Sequence, residues 1–344
     1  MDKNGLSLRE KIGLGILIVL VVNILWFKFR GDSLQPVLFW GTEKSLIQKV
    51  PRKGGVDGFF FYASDLHFGS KAVKYSITTT GVKKEVVGIT QYHNKMLAQM
   101  IALPGKLMPQ DAGGIKVRAP ESLIITGDLT QDGYDAEWID YLKYFGKNGK
   151  FPWTVWDLPG NHDLRNRAYT RNMMKMRQGG SIYVRDYKDL RFISLGEAPD
   201  QSDLKWLKTI LIETGTDRPV IIMMHFPLHG PFAKNWFTRN TYPRSLANLL
   251  KPFNIIAIIH GHFHGSGYYK WNDIDVYNIG SVKHSHKDFG VIHVSDTHFT
   301  FAAWNIEMND WWWIHRKPLN GYKDKEILKI LKGNPWVPYP EYRD

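Results

Sequence analysis

The sequence predicts an α/β protein built on a mainly parallel sheet, and two observations carry that prediction. Five apolar runs, Phe59-Phe60-Phe61-Tyr62, Leu123-Ile124-Ile125, Thr154-Val155-Trp156, Val220-Ile221-Ile222-Met223-Met224 and Ile255-Ile256-Ala257-Ile258-Ile259, have the texture of strands buried on both faces. Among them, residues 91–107, 135–145, 165–176, 202–212 and 243–250 carry apolar side chains at three- and four-residue spacing, as amphipathic helices do. Alternation of this kind implies βαβ units, whose chemistry gathers at the carboxyl ends of the strands.

Each run leads into residues that can bind a metal. The first enters Asp65-Leu66-His67, where a spacing of two puts both side chains on one side of an extended segment, giving two ligands for one ion. The second enters Gly127-Asp128, whose carboxylate has two oxygens and can bridge two ions. After the third, Pro159-Gly160 turns the chain and leaves Asn161, His162 and Asp163 at the strand end. The fourth ends at His225 and the fifth at His260-Gly261-His262-Phe263-His264. Such a set of oxygen and nitrogen donors without sulfur suits Mn, Fe or Zn better than Ca or Mg. Two ions about 3.5–4 Å apart generate hydroxide and clamp the oxygens of an in-line phosphoryl displacement.

As an ordered set, Asp65-Leu66-His67, Gly127-Asp128, Gly160-Asn161-His162-Asp163, His225 and Gly261-His262-Phe263-His264 resemble the calcineurin-like metallophosphoesterases over about residues 58–302. The resemblance implies a four-layer α/β/β/α sandwich, two mixed sheets flanked by helices. It also implies two divalent metal ions, with Asp65, His67, Asp128 and His264 on the first and Asp128, Asn161, His225 and His262 on the second. By the same resemblance His162 contacts the phosphate and protonates the leaving oxygen, and Asp163 orients it. The purple acid phosphatase branch needs a tyrosine three residues after the aspartate of Gly-Asp, and Gln131 stands there. His229, His284 and His286 are candidate substrate contacts or plain loop histidines. Arg165 and Arg167 either reach a phosphate or form a solvated helical turn. His93, His293, His298 and His315 carry no signal.

Composition bounds the rest. A chain of 344 residues, 43% hydrophobic, holds a sizeable core, and an excess of 12 positive charges favours anionic partners. The absence of cysteine excludes thiolate sites, cysteine nucleophiles and disulfides. Residues 12–27 are an apolar run, a little short for the roughly 20 residues of a comfortable span, flanked by Lys11 and Lys28. We read residues 1–30 as an uncleaved membrane anchor, with a cleaved signal or a buried helix as the alternatives. Balanced flanking charges leave its orientation open, so the chain is expected to be a single-pass membrane protein with the side undetermined. A linker at 31–57, a catalytic domain at 58–310 and a Trp-rich tail at 311–344 complete the expected organisation. In that tail, residues 323–332 place Ile327, Leu328, Ile330 and Leu331 on one face of a basic amphipathic helix, which either packs on the domain or lies on a membrane. Residues 75–80 and 85–87 suggest a hairpin, either over the site or on the surface without function.

The expected activity is hydrolysis of a phosphate mono- or diester of a phospholipid headgroup or lipid-linked intermediate. The alternatives are a phosphodiesterase acting on a soluble substrate such as a cyclic nucleotide, and a non-catalytic scaffold. No base-stacking platform or nucleic-acid module is evident, so no nucleic-acid partner is expected.

Overall fold

A computed structural model describes residues 55–78, 81–228, 242–284 and 287–332. The expected anchor, residues 31–54 of the expected linker, His229, His286 and the last twelve residues lie outside them. Among the described residues no helix is long and apolar enough to cross a membrane.

Two mixed sheets flanked by helices form the fold. The first has seven strands in the order β15-β14-β13-β12-β1-β4-β5. Its parallel part is β1 (Asp57–Ala63), β4 (Ser122–Thr126) and β5 (Val155–Leu158); β12 (Asp288–Ser295), β13 (His298–Asn305), β14 (Asp310–Pro318) and β15 (Ile327–Ile330) extend it antiparallel from β1. The second has the order β10-β11-β9-β8-β7-β6. There β7 (Leu190–Leu195), β8 (Val220–Met223), β9 (Ile255–His260) and β11 (Ile274–Asn278) run parallel, with β6 (Ile182–Tyr187) and β10 (Gly267–Trp271) antiparallel at the edges.

Strand alternation explains why the apolar runs are continuous. Along β1, Phe59 and Phe61 enter a cluster with α1 (Thr90–Ala102), α2 (Asp135–Phe145) and α3 (Arg167–Gln178), through Met96, Trp138, Tyr141 and Met174. Phe60 and Tyr62 point the other way, into the layer shared with Phe192, Ile221, Met223 and Ile259 of the second sheet. Both faces are therefore buried, as the run predicts. In the rest of the chain, α4 (Gln201–Thr214) and α5 (Tyr242–Leu250) bury Leu207, Leu211, Leu246 and Leu250. The Asp200 carboxylate accepts the Ser202 and Asp203 amide N–H groups at the start of α4.

The strands after His264 divide between the sheets: β10 and β11 complete the second and β12 to β15 complete the first. One sequence expectation is corrected. Residues 311–332 supply strands of the first sheet where the spacing suggests a helical tail. Trp311, Trp312 and Trp313 are buried in β14, and residues 327–330 form its neighbour β15. Ile327 and Leu331 pack against the core while Leu328 and Ile330 stay exposed. Pairing with β15 satisfies the backbone groups along the otherwise open edge of β14, and Lys329 and Lys332 tie the segment to Asp111 and Asp310. The expected hairpin exists, as β2 (Lys71–Thr78) paired with β3 (Gly81–Gly88).

Candidate metal centre

The parallel strands β1, β4 and β5 end at one edge of the first sheet, and β8 and β9 deliver His225 and His262 from the second. The loops leaving these ends are laced together. Asp65 and His67 donate their amide N–H groups to the carbonyls of Gly127 and Asp128, at 3.0 and 2.9 Å. The His262 N–H reaches the Asp65 carboxylate at 3.0 Å, and the His162 N–H reaches Asp128 Oδ1 at 2.9 Å.

Five of the predicted ligands adopt the left-handed backbone region: Asp65 (φ 54°), His67 (48°), Asp128 (49°), His262 (71°) and His264 (59°). Asp65 and His67 therefore converge through turns, not through the pleat of an extended segment. Glycines allow the loops to close on one another. A Cβ at Gly160 would lie 2.2 Å from Asp128 Oδ1, and one at Gly261 would lie 1.9 Å from Ser64 Oγ and 2.8 Å from Asp65 Oδ2.

Two donor groups result, Asp65, His67, Asp128 and His264 in one, and Asp128, His225 and His262 in the other, each with atoms within 4.8 Å of one another. Asn161 joins the second, its Oδ1 lying 3.0 Å from both His225 Nε2 and His262 Nδ1. The structure thus brings together the residues that the resemblance would assign to each of two ions.

These residues fit two divalent cations. His225 Nδ1 lies 2.7 Å from the Thr126 carbonyl, which fixes its proton there and leaves Nε2 with a lone pair. That lone pair faces Asn161 Oδ1, and Asp128 Oδ1 at 3.4 Å. In the other group His67 Nε2 lies 3.1 Å from His264 Nε2 and 3.5 Å from Asp128 Oδ2. Burial pushes the imidazoles of His67 and His225 below their ordinary range and His262 down to about 2, so all three are neutral. Burial, then the charges of Asp65 and Asp163, push the Asp128 carboxyl well up, and its Oδ2 has no hydrogen-bond partner. Buried acceptors facing buried acceptors are costly, and cations between them remove that cost.

His162 stands beside this centre, its ring 4.6 Å from that of His67. Its Nδ1 lies 2.7 Å from the Gln131 carbonyl, and Arg165 Nη2 approaches Nε2 at 3.3 Å. Burial lowers it to about 4 against the opposing pull of that carbonyl. Asp163 is placed differently from expectation. Its carboxylate accepts the N–H groups of Leu129, Thr130 and Gly160 and the Thr130 hydroxyl, at 2.6–3.1 Å, and so ties two ligand loops together. Gln131 holds the His162 ring instead. Burial pushes Asp163 up to about 6 despite those donors.

Arg165 pairs with Asp132 as well as approaching His162, whereas Arg167 is an exposed residue at the start of α3. His284 sits with its ring 4.6 Å from that of His264. One histidine without a sequence signal has a place here: His93, buried on α1, stacks on Phe68 at 3.8 Å and its Nε2 meets the Leu66 carbonyl at 2.7 Å. A lone histidine on an apolar helix face gave no hint of that role.

The model of the calcineurin-like phosphoesterase family matches residues 62–266, more than half of the chain. The chain belongs to the calcineurin-like phosphoesterases. It is accordingly a phosphoric ester hydrolase. A probable cyclic nucleotide phosphodiesterase of a Pseudoalteromonas strain is 23% identical over 182 residues, 50% of this chain and 68% of that protein. The 3',5'-cyclic adenosine monophosphate phosphodiesterase of Haemophilus influenzae is 26% identical over 165 residues, 45% of this chain and 58% of that protein. A dimetal phosphatase from Danio rerio shares the fold at a TM-score of 0.50 and 12% identity, covering 72% of this chain and 96% of that one.

Proposed function

We propose that this calcineurin-like phosphoesterase hydrolyses its substrate at a dinuclear centre held by Asp65, His67, Asp128, Asn161, His225, His262 and His264. The supporting observation is the convergence of these donors, with neutral imidazoles facing oxygen and nitrogen acceptors, around the shared Asp128. When bound, the two ions supply an acidified water and neutralise phosphoryl charge. Asp163 keeps the Asp128 and Asn161 loops in register. His162 is the group that contacts the phosphoryl and protonates the leaving oxygen. Its proton in the free site rests between Nδ1 and the Gln131 carbonyl. Burial keeps the ring neutral there, and the negative charge of an arriving phosphate ester raises it toward the protonated form that a general acid needs.

For the substrate we propose a phosphate ester of a lipid headgroup or lipid-linked intermediate, with residues 1–30 as a single-pass anchor, 31–57 as linker and the side of the membrane left open. This reading is supported by the apolar run at 12–27 and the excess of 12 positive charges. Tethering raises the local concentration of membrane-borne substrates only, and each lysine or arginine near an anionic surface adds about 1 kcal/mol. A second reading, a soluble cyclic nucleotide, is favoured by the two phosphodiesterase relatives. The test offers the full chain, with Mn, Zn and Fe supplied separately, a phosphorylated lipid in anionic vesicles, its short-chain soluble analogue, and 3',5'-cyclic adenosine monophosphate. We expect metal-dependent hydrolysis that is fastest on the vesicle lipid. Preference for the cyclic nucleotide would select the second reading, and no metal-dependent turnover of any ester would overturn the catalytic one.

A further inference from the structure

After β11 the chain turns back over the metal ligands at residues 279–284, and this turn is fastened to them. The Ser281 hydroxyl donates to the Asp65 carbonyl at 2.6 Å and accepts the Lys283 N–H at 3.1 Å. The His284 N–H meets the Ser281 carbonyl at 3.3 Å, which sets its ring beside that of His264. From this anchored turn the Lys283 ammonium reaches Gln131 Oε1 at 3.1 Å. Gln131 is the residue whose carbonyl holds His162 Nδ1 at 2.7 Å. One residue of the β4 loop therefore touches both the candidate proton donor and a lysine from the opposite side of the site.

Two features set Lys283 apart from the other cation nearby. Arg165 is matched by Asp132, whereas among the described residues no carboxylate forms an ion pair with Lys283, and a neutral amide holds its ammonium. An ammonium has three donors, and the amide uses one. The side chain is half-buried, and burial pushes its pKa down while the charges of Asp128 and Asp65 pull it up. A partly buried ammonium held by a neutral amide, with further donors to offer, is poised for an anion.

We propose that Lys283 binds a non-bridging oxygen of the reacting phosphoryl and selects for a phosphomonoester dianion over a diester monoanion. The inference rests on the phosphoesterase reading given above. Two divalent ions against the carboxylates of Asp65 and Asp128 leave two positive charges, and Lys283 adds a third, so an additional negative charge on the substrate is favoured. A monoester presents three terminal oxygens, enough for the metal side, His162 and Lys283 together. A diester has replaced one of those oxygens with a second ester oxygen, a weaker acceptor without the charge.

The experiment uses the full chain loaded with Mn, as wild type, Lys283→Met and Lys283→Arg. One arm measures binding of inorganic phosphate by calorimetry, together with Mn content. The other compares p-nitrophenyl phosphate with bis(p-nitrophenyl) phosphate, which release the same leaving group. Loss of a charge-assisted hydrogen bond predicts that Lys283→Met weakens phosphate binding by about 10- to 100-fold at unchanged Mn content. It predicts a similar fall in kcat/KM for the monoester, a fall below about 3-fold for the diester, and recovery of most of the loss in Lys283→Arg. Equal losses on both esters, unchanged phosphate affinity, or loss of Mn from the Met variant would each overturn the proposal. Should the wild type hydrolyse neither ester, the catalytic reading fails while the phosphate-binding arm still decides the role of Lys283.

Discussion

His162→Ala separates proton donation from metal binding at the level of one side chain. The imidazole touches Gln131 and Arg165 and is no part of either donor group. We expect the variant to keep its metal and to lose about 10²- to 10⁴-fold in rate on esters with poor leaving groups, with a much smaller loss when the leaving group is a nitrophenolate. Parallel assays of alkyl and nitrophenyl esters check this; equal losses would remove the proton-donor role. The identities of the ligands are legible in the sequence because metal chemistry restricts which side chains serve. Their geometry is not. Left-handed backbone at Asp65, His67, Asp128, His262 and His264 costs about 1–3 kcal/mol each, and nothing in the spacing of Asp65 and His67 announces it. The contacts of Asp163 are illegible for a related reason, since adjacency to His162 in the chain says nothing about where its carboxylate points.

At the scale of elements, legibility follows burial. The run Phe59-Phe60-Phe61-Tyr62 reads as a strand because both of its faces meet apolar layers. Ile327, Leu328, Ile330 and Leu331 satisfy helical spacing equally well, and the deciding factor is the unpaired edge of β14, a feature of the tertiary structure. His93 on α1 is similar, since its partner Leu66 is 27 residues away. Burial lowers its pKa to about 4, so the neutral ring donates Nε2–H to the Leu66 carbonyl between two predicted ligands. His93→Ala should cost about 1–3 kcal/mol in denaturant unfolding of the metal-free protein and weaken Mn binding by about 10- to 100-fold. His93→Gln, which keeps a donor, should recover part of the affinity. Lowered stability with unchanged Mn affinity would assign His93 to the core alone.

Across the whole molecule, two sheets each contribute the carboxyl ends of parallel strands to one edge, and no single sheet carries a complete site. Asp65, Asp128 and Asn161 come from the first, His225, His262 and His264 from the second, and the layer holding Phe60, Tyr62, Ile221 and Met223 keeps the halves in register. Asp128 is the one residue common to both donor groups, so a dinuclear centre depends on it more than on any other ligand. Metal content of the purified full-length chain after Mn loading and desalting, compared with Asp128→Asn treated identically, tests this most directly. Two ions per wild-type chain and a loss at both sites in the variant are the predicted result. A single ion in the wild type, or undiminished occupancy in Asp128→Asn, would contradict a centre bridged by Asp128.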